Sequence, residues 1–189
     1  IKQFEDHRNQ IKSLTEKSRD IEEEANRDHL THTYNRKYIE RLLLVEFKQT
    51  RSEHASLPLA FIDIDDYKPI NDTHETLAGD KVLREVADFF TRKIRNTDIL
   101  ARYGGDEFLL MLPNTDAKTA MDLLNRLIIE LKAAPGTEFE GESLKVSTSI
   151  GVATQTSKSN LNKPEDLIHA SEKALYNAKR AGKNNITSY

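Results

Sequence analysis

The 189-residue chain contains no cysteine. That excludes disulfides, zinc–thiolate centres and a cysteine nucleophile, and it suits a reducing compartment. No apolar run approaches the ~20 residues of a membrane-spanning helix; the longest are strand-sized. A basic excess is also missing. The 28 Lys and Arg stand against 31 Asp and Glu, for a net charge of -3, so general nucleic-acid binding lacks its electrostatic footprint. Internal repeats, low-complexity tracts and a secretory signal are absent as well, which makes the glycosylation-type triplet Asn185-Ile186-Thr187 a chance match. What remains, 37% hydrophobic and 31% charged, suits one domain with a real core and a well-solvated surface, plus an appendage.

That appendage is residues 1–27, which carry no Gly or Pro. Heptad spacing puts Phe4, Ile11, Ser18 and Ala25 on one seam position and His7, Leu14, Ile21 and Asp28 on the other. The seam is weak, and the segment reads either as a helix that pairs with a second copy or as a solvated linker. Because the chain starts at Ile1 inside this pattern, a longer parent protein is expected.

Residues 28–189 form the second unit. A helix is expected from about Asn35 to Glu53, then a buried strand, Leu57 to Ile64, that ends in Asp63-Ile64-Asp65-Asp66. Carboxylates at such a strand end are costly unless they meet cations or water. A short helical or looped piece through Lys68 and Asn71-Asp72 precedes an amphipathic helix carrying Val82, Leu83, Val86, Phe90 and Ile94. A hairpin over 98–112 comes next, and then a helix over about 116–132 that Pro135-Gly136 stops. The alternation of Leu144, Val146, Thr148, Ile150 and Val152 predicts a strand with one buried face. Pro164 opens a last helix, Gly182 closes it, and a short strand over 185–188 ends the chain. This order predicts an α/β (α+β) sandwich with a mostly antiparallel sheet of about five strands flanked by helices, not a parallel doubly wound sheet.

Within the hairpin lies Arg102-Tyr103-Gly104-Gly105-Asp106-Glu107-Phe108. Gly-Gly reads as a tight turn in which positive φ is cheap, with Asp106 and Glu107 at its tip. Carboxylates there suit hard cations, and bare glycine backbone lets a large ligand lie close. Taken alone, the same residues also describe an acidic surface hairpin.

Together with the Asp63-Ile64-Asp65 strand end and the Asn71–Asp80 segment, this stretch resembles a GGDEF domain over about residues 28–186. The resemblance implies a nucleotidyl-cyclase or polymerase-palm-like fold. The implied activity is that of a diguanylate cyclase, which condenses two GTP into cyclic di-GMP and releases two pyrophosphates across a homodimer. It implies Mg²⁺, two per active site with Mn²⁺ as an alternative, held by Asp63, the Ile64 carbonyl and Asp106. Asp106 would also activate the 3′-hydroxyl, Glu107 would support it, and Asp65 would lie just behind. Lys68 would stabilise phosphate charge, Asn71 and Asp80 would contact guanine, and Lys179 and Lys183 would grip the terminal phosphates. Gly104 and Gly105 would floor the nucleotide. An inhibitory site for product would use Arg95 and Asp98 with Arg126. The bland readings stay open beside these: Lys68 as a surface lysine, Lys179 and Lys183 as cations suited to a helix C-terminus, and Arg95/Asp98 as a helix-end pair. Such a domain would be the cytoplasmic part of a larger membrane-bound or soluble bacterial sensor protein.

Two departures stand out. The family pattern Asn-Asp-x-x-Gly-His-x-x-Gly-Asp has Glu75-Thr76 in place of Gly-His, and Leu-Thr-Gly-Leu-x-Asn-Arg appears as Leu30-Thr31-His32-Thr33-Tyr34-Asn35-Arg36. The added Glu75 charge would oppose a triphosphate. A module that senses GTP or cyclic di-GMP without turnover, and a purely structural dimerisation module, are the competing functions.

Overall fold

The computed structural model describes residues 2–53 and 55–189; the side chains of residues 2–9, 20, 53 and 75 lie outside the description, and with them the expectations placed on Phe4, His7 and Glu75. The elements are α1 (Lys2–Ala25), β1 (Tyr34–Asn35), α2 (Arg36–Glu53), β2 (Ser56–Ile64), α3 (Tyr67–Thr91), β3 (Ile99–Arg102), β4 (Glu107–Met111), α4 (Ala117–Ala133), β5 (Thr137–Phe139), β6 (Glu142–Leu144), β7 (Thr148–Thr156), α5 (Pro164–Arg180) and β8 (Ile186–Ser188). Among the described residues they build a six-stranded sheet in the order β1-β3-β4-β2-β7-β8 and a separate β5-β6 ribbon. The three inner pairings are antiparallel, whereas β1 on β3 and β8 on β7 are parallel edges.

Side-chain alternation along β2 divides the core in two. Ala60, Ile62 and Ile64 point to a layer with Val82, Leu83, Val86 and Phe90 of α3 and Leu124, Leu127 and Ile128 of α4. Leu57, Leu59 and Phe61 point the other way, against Ile39, Leu43 and Phe47 of α2 and Leu167, Ala170 and Leu175 of α5. By the same period Asp63 falls on the α2/α5 side, at the end of an otherwise apolar row. Each fully buried Leu, Ile or Phe in these layers contributes roughly 1.5–3 kcal/mol.

Three expectations need correction. The strand read from Leu144 is two elements: Leu144 ends β6, and β7 starts only at Thr148. The residues between Gly136 and Leu144 form the missed ribbon, turning at Glu140 (φ 49°) and Gly141 (φ 87°). Nor does β7 bury a single face, for Thr148 through Ala153 are buried without a break. Its second face carries Ser149, Gly151 and Ala153, small residues that let α5 settle onto the strand. A Cβ at Gly151 would stand 1.9 Å from the Leu175 nitrogen and 2.2 Å from the Ser171 carbonyl oxygen.

The two pieces expected between Lys68 and Ile94 are one helix, α3, which ends at Thr91 and leaves Ile94, expected on the helix, in the loop beyond it. Its axis nevertheless bends sharply. The Asn71 side-chain oxygen lies 1.8 Å from where a Gly79 Cβ would be, although eight residues of straight helix span about 12 Å.

Along α1, Ile11, Leu14 and Ile21 are 63%, 60% and 68% exposed, an apolar stripe with no cover from its own chain. No helix among the described residues is long and apolar enough to cross a membrane.

Candidate active site

Where β2 and β4 end, Asp63 and Glu107 are direct partners across the antiparallel ladder. Like charges set opposite each other destabilise a sheet. The Ile64 N–H donates to the Asp106 carbonyl over 3.2 Å, which brings a third acidic residue to the same strand end. Asp63 is 6% exposed. Burial first, then the charges of Asp106 and Asp65, push its carboxyl above the usual range, and the Lys179 ammonium pulls the other way. Glu107 is raised too, by burial and then by Asp63 and Asp106. The Lys179 Nζ sits 2.6 Å from the Asp63 carboxylate and supplies the compensating charge.

Neither glycine of the turn adopts positive φ, contrary to the expectation for Gly104 and Gly105. Their value here is space. A Cβ at Gly104 would press on the Glu107 carboxylate at 3.0 Å, and the space around Gly105 is open. Arg102 shapes the turn by donating to the Gly105 carbonyl at 3.1 and 2.8 Å, and it also reaches Asp28 at 3.4 Å. Asp28 in turn accepts from the Leu30 and Thr31 amides and the Thr31 hydroxyl, closing the loop before β1. His32, where the family pattern has glycine, holds φ at 56°. Tyr103 donates to Glu40 over 3.0 Å, and burial with that bond pushes its phenol up to about 12.

The bend in α3 brings Asn71 back beside Gly79 and Tyr67, next to Asp80 in sequence. Burial raises the Tyr67 phenol and the charges of Asp80 and Asp106 add to the rise, while the amide of the Asn71 side chain and the Arg102 charge oppose it, so this pocket borders the acidic tip. Buried Asn71 Oδ1 has no hydrogen-bond partner. Lys68 is exposed one turn before Asp72, and Thr76 is exposed beyond it.

Asp65 goes elsewhere. It is 5% exposed and accepts from the Ser147 and Ser149 hydroxyls, both at 2.7 Å, and from the Asn184 N–H at 3.0 Å. Exposed Asp66 pairs with Lys183 at 2.7 Å. Lys179 and Lys183 therefore both rest on carboxylates of the β2–α3 junction.

The groups that could hold a divalent cation are the Asp63 and Asp106 carboxylates, whose charges act on each other, and the Ile64 carbonyl. No three His, Cys, Asp or Glu side chains among the described residues enclose an ion by themselves. Two carboxylates and a backbone oxygen still fit Mg²⁺, which keeps several positions for water and substrate phosphates. Burial first and mutual repulsion second raise Asp63 and Glu107, with Lys179 the cation that opposes both.

Arg95, Asp98 and Arg126 line one cavity of about 470 Å³ together with Arg92, Lys93 and Thr119. Asp98 is 7% exposed and accepts from the Arg95 N–H over 2.9 Å, so one oxygen is already used to close its own loop. Burial raises its pKa, and the contacts with Arg95 oppose the rise. Arg126 lies 3.7 Å from Glu130.

Residues 25–185 match the model of the family described as Diguanylate cyclase, GGDEF domain. The chain belongs to the GGDEF family. It is 36% identical over 167 residues to the diguanylate cyclase DgcP of Pseudomonas aeruginosa, covering 88% of this chain and 24% of that protein. With Diguanylate cyclase A of Treponema denticola it shares 36% over 165 residues, covering 85% and 43%. The chain thus spans less than half the length of these relatives. Among solved structures, the coiled coil and GGDEF domain of DgcB from Caulobacter crescentus, in complex with c-di-GMP, superposes with a TM-score of 0.88 at 25% identity, covering 99% of this chain and 97% of that one. The diguanylate cyclase SiaD of Pseudomonas aeruginosa, in complex with its activator SiaC, gives 0.86 at 28% identity, covering 99% and 70%.

In this GGDEF domain the sequence left several site residues unnamed. Gly79 must lack a side chain for Asn71 to fold back, and its signal was the glycine just before Asp80. Ser147, Ser149 and Asn184 carried no signal, because only the folded chain sets them around Asp65.

Proposed function

We propose that the chain is a diguanylate cyclase domain. Each of two facing protomers holds one GTP. The 3′-oxygen of each nucleotide attacks the α-phosphorus of the other, the bond to pyrophosphate breaks, and the two steps leave cyclic di-GMP and two pyrophosphates. The observation that carries this reading is the strand end where Asp63 faces Glu107 and Asp106 sits alongside, a repulsive cluster without purpose in a structural module.

Asp63, Asp106 and the Ile64 carbonyl would hold Mg²⁺ or Mn²⁺, which supplies neutralisation of the triphosphate and of the leaving pyrophosphate. Asp106 accepts the 3′-hydroxyl proton, and Glu107 keeps the local field negative. Lys68, Lys179 and Lys183 answer the phosphates; Lys179 is free to do so once Asp63 has another counter-charge. Asn71 Oδ1, a buried acceptor without a donor, suits the N1–H and N2–H of guanine, and Asp80 accepts there as well. Open space at Gly105 leaves room for the nucleotide. The exposed Ile11, Leu14 and Ile21 stripe supports pairing of two copies through α1, as part of a longer sensor protein.

The test is to incubate the protein with GTP and Mg²⁺ and follow cyclic di-GMP. Wild type should form it, and Asp106→Ala should lose at least about 100-fold of that rate with its circular dichroism unchanged. Nucleotide binding without product would instead indicate a sensor of GTP or cyclic di-GMP. The Arg95/Asp98/Arg126 cavity is the proposed seat of product feedback, since guanidinium groups suit phosphates and guanine edges. Arg95→Ala should leave the initial rate intact and raise the product concentration that halves it by about tenfold.

A further inference from the structure

The loop that follows α5 has an uncommon backbone. Gly182, Lys183 and Asn184 take positive φ in succession, 115°, 63° and 47°. Only the first is a glycine, so the other two need outside support. Their neighbours give part of it: the Asn185 side chain donates to the Ala178 and Lys183 carbonyls, both at 2.9 Å. The rest comes from across the molecule. Asp65 receives the Asn184 N–H, and the next residue, Asp66, receives the Lys183 ammonium. Asp65 is itself fixed by the two serine hydroxyls and by its own N–H, which donates to the Ser147 carbonyl over 2.9 Å. The buried carboxylate thus joins the end of β2, the start of β7 and the loop after α5 at one point.

We infer that Asp65 is a positioning residue for the nucleotide's phosphates: it holds the 182–184 loop in its left-handed course and so aims Lys183 at the β2–α3 junction. Asp65 need not touch metal or substrate, since three neutral donors take up its carboxylate. Its effect reaches the ligand through Lys183, which ordinary loop conformations would point elsewhere. The inference rests on the reading of Lys183 as a phosphate-binding side chain.

Two measurements on the whole chain test it. Hydrogen exchange at the Asn184 amide should quicken in Asp65→Ala at least about tenfold beyond the uniform change that lower global stability brings to the amides of β2 and β4. GTP turnover should show KM raised about tenfold with kcat within about twofold. Asp65→Asn, which keeps one acceptor oxygen, should fall between. Asp65→Ala/Lys183→Ala should have the KM of Lys183→Ala alone, because the carboxylate acts through that lysine. Unchanged exchange at Asn184, unchanged KM, or penalties that multiply in the double variant would each overturn the proposal. Should Asp65→Ala lose protection throughout, Asp65→Asn takes its place in every comparison. If wild type makes no cyclic di-GMP, the cyclase reading fails by itself. Calorimetric binding of inorganic tripolyphosphate then replaces KM, and equal affinity in wild type and Asp65→Asn would overturn the positioning role.

Discussion

Asp63 and Asp65 lie two residues apart, are buried to almost the same degree, and live under opposite conditions. Asp65 is met by neutral donors from β7, from the residue just before it and from the loop after α5, all contributed by the fold itself. Asp63 is met by a single lysine on a half-exposed stem and faces Glu107 across the ladder with Asp106 close by. A buried carboxylate given fixed hydrogen bonds is part of the framework. One given a lysine counter-ion and like-charged neighbours has the charge balance on which the proposed cation site rests. Burial alone does not separate these cases; the identity of the partners does.

The largest effect expected from breaking this contrast is on turnover. Asp63→Asn should lower cyclic di-GMP formation at least about 100-fold and leave the melting temperature equal or higher, since it removes a repulsive charge. Retained turnover would put Asp63 on the framework side. Next comes stability at the other carboxylate. Asp65→Ala leaves two hydroxyls and an N–H without an acceptor, and denaturant titration should show a loss of about 1–3 kcal/mol. A smaller loss would mean that water replaces the carboxylate readily.

The smallest effect concerns charge opposition across the ladder. Glu107→Gln should raise metal-free stability by about 0.2–1 kcal/mol near neutral pH. The sign of its pH dependence follows from upward shifts. Asp63 and Glu107 bind protons more readily folded than unfolded, so the ionised cluster weakens the fold as pH rises from the ordinary values of 3.8 and 4.5 through the raised ones. The advantage of Glu107→Gln should therefore shrink as thermal unfolding in chelator is taken from neutral pH down to about pH 5. An advantage that grows on acidification would contradict the repulsion.

The fold was legible where one physical signal dominates a segment. Pro164 and Gly182 bracket α5, and the apolar run ending at Asp63 reads directly as β2. The candidate site was proposed from residue types, and the structure sets Asp63 and Glu107 at the ends of β2 and β4. Failure came where two signals overlap. The alternation from Leu144 to Val152 ran through a ribbon end, an irregular connection and the strand β7, because apolar spacing of two recurs by chance across a junction. Gly104 and Gly105 suggested a special backbone, but they serve by the side chains they lack. The environment of Asp65 could not be read at all, since its partners lie more than 80 residues away.

Gly151 touches no carboxylate, lysine or nucleotide pocket, yet it sets the height at which α5 rides over the sheet. Leu175, the residue it meets, is one helical turn before Lys179. Even one added methyl would have to lift the helix and carry that lysine off Asp63. A survey of every substitution in this chain should therefore find position 151 as intolerant as the charged residues of the site. Its failed variants should assemble a sheet and still misplace the one cation that Asp63 depends on.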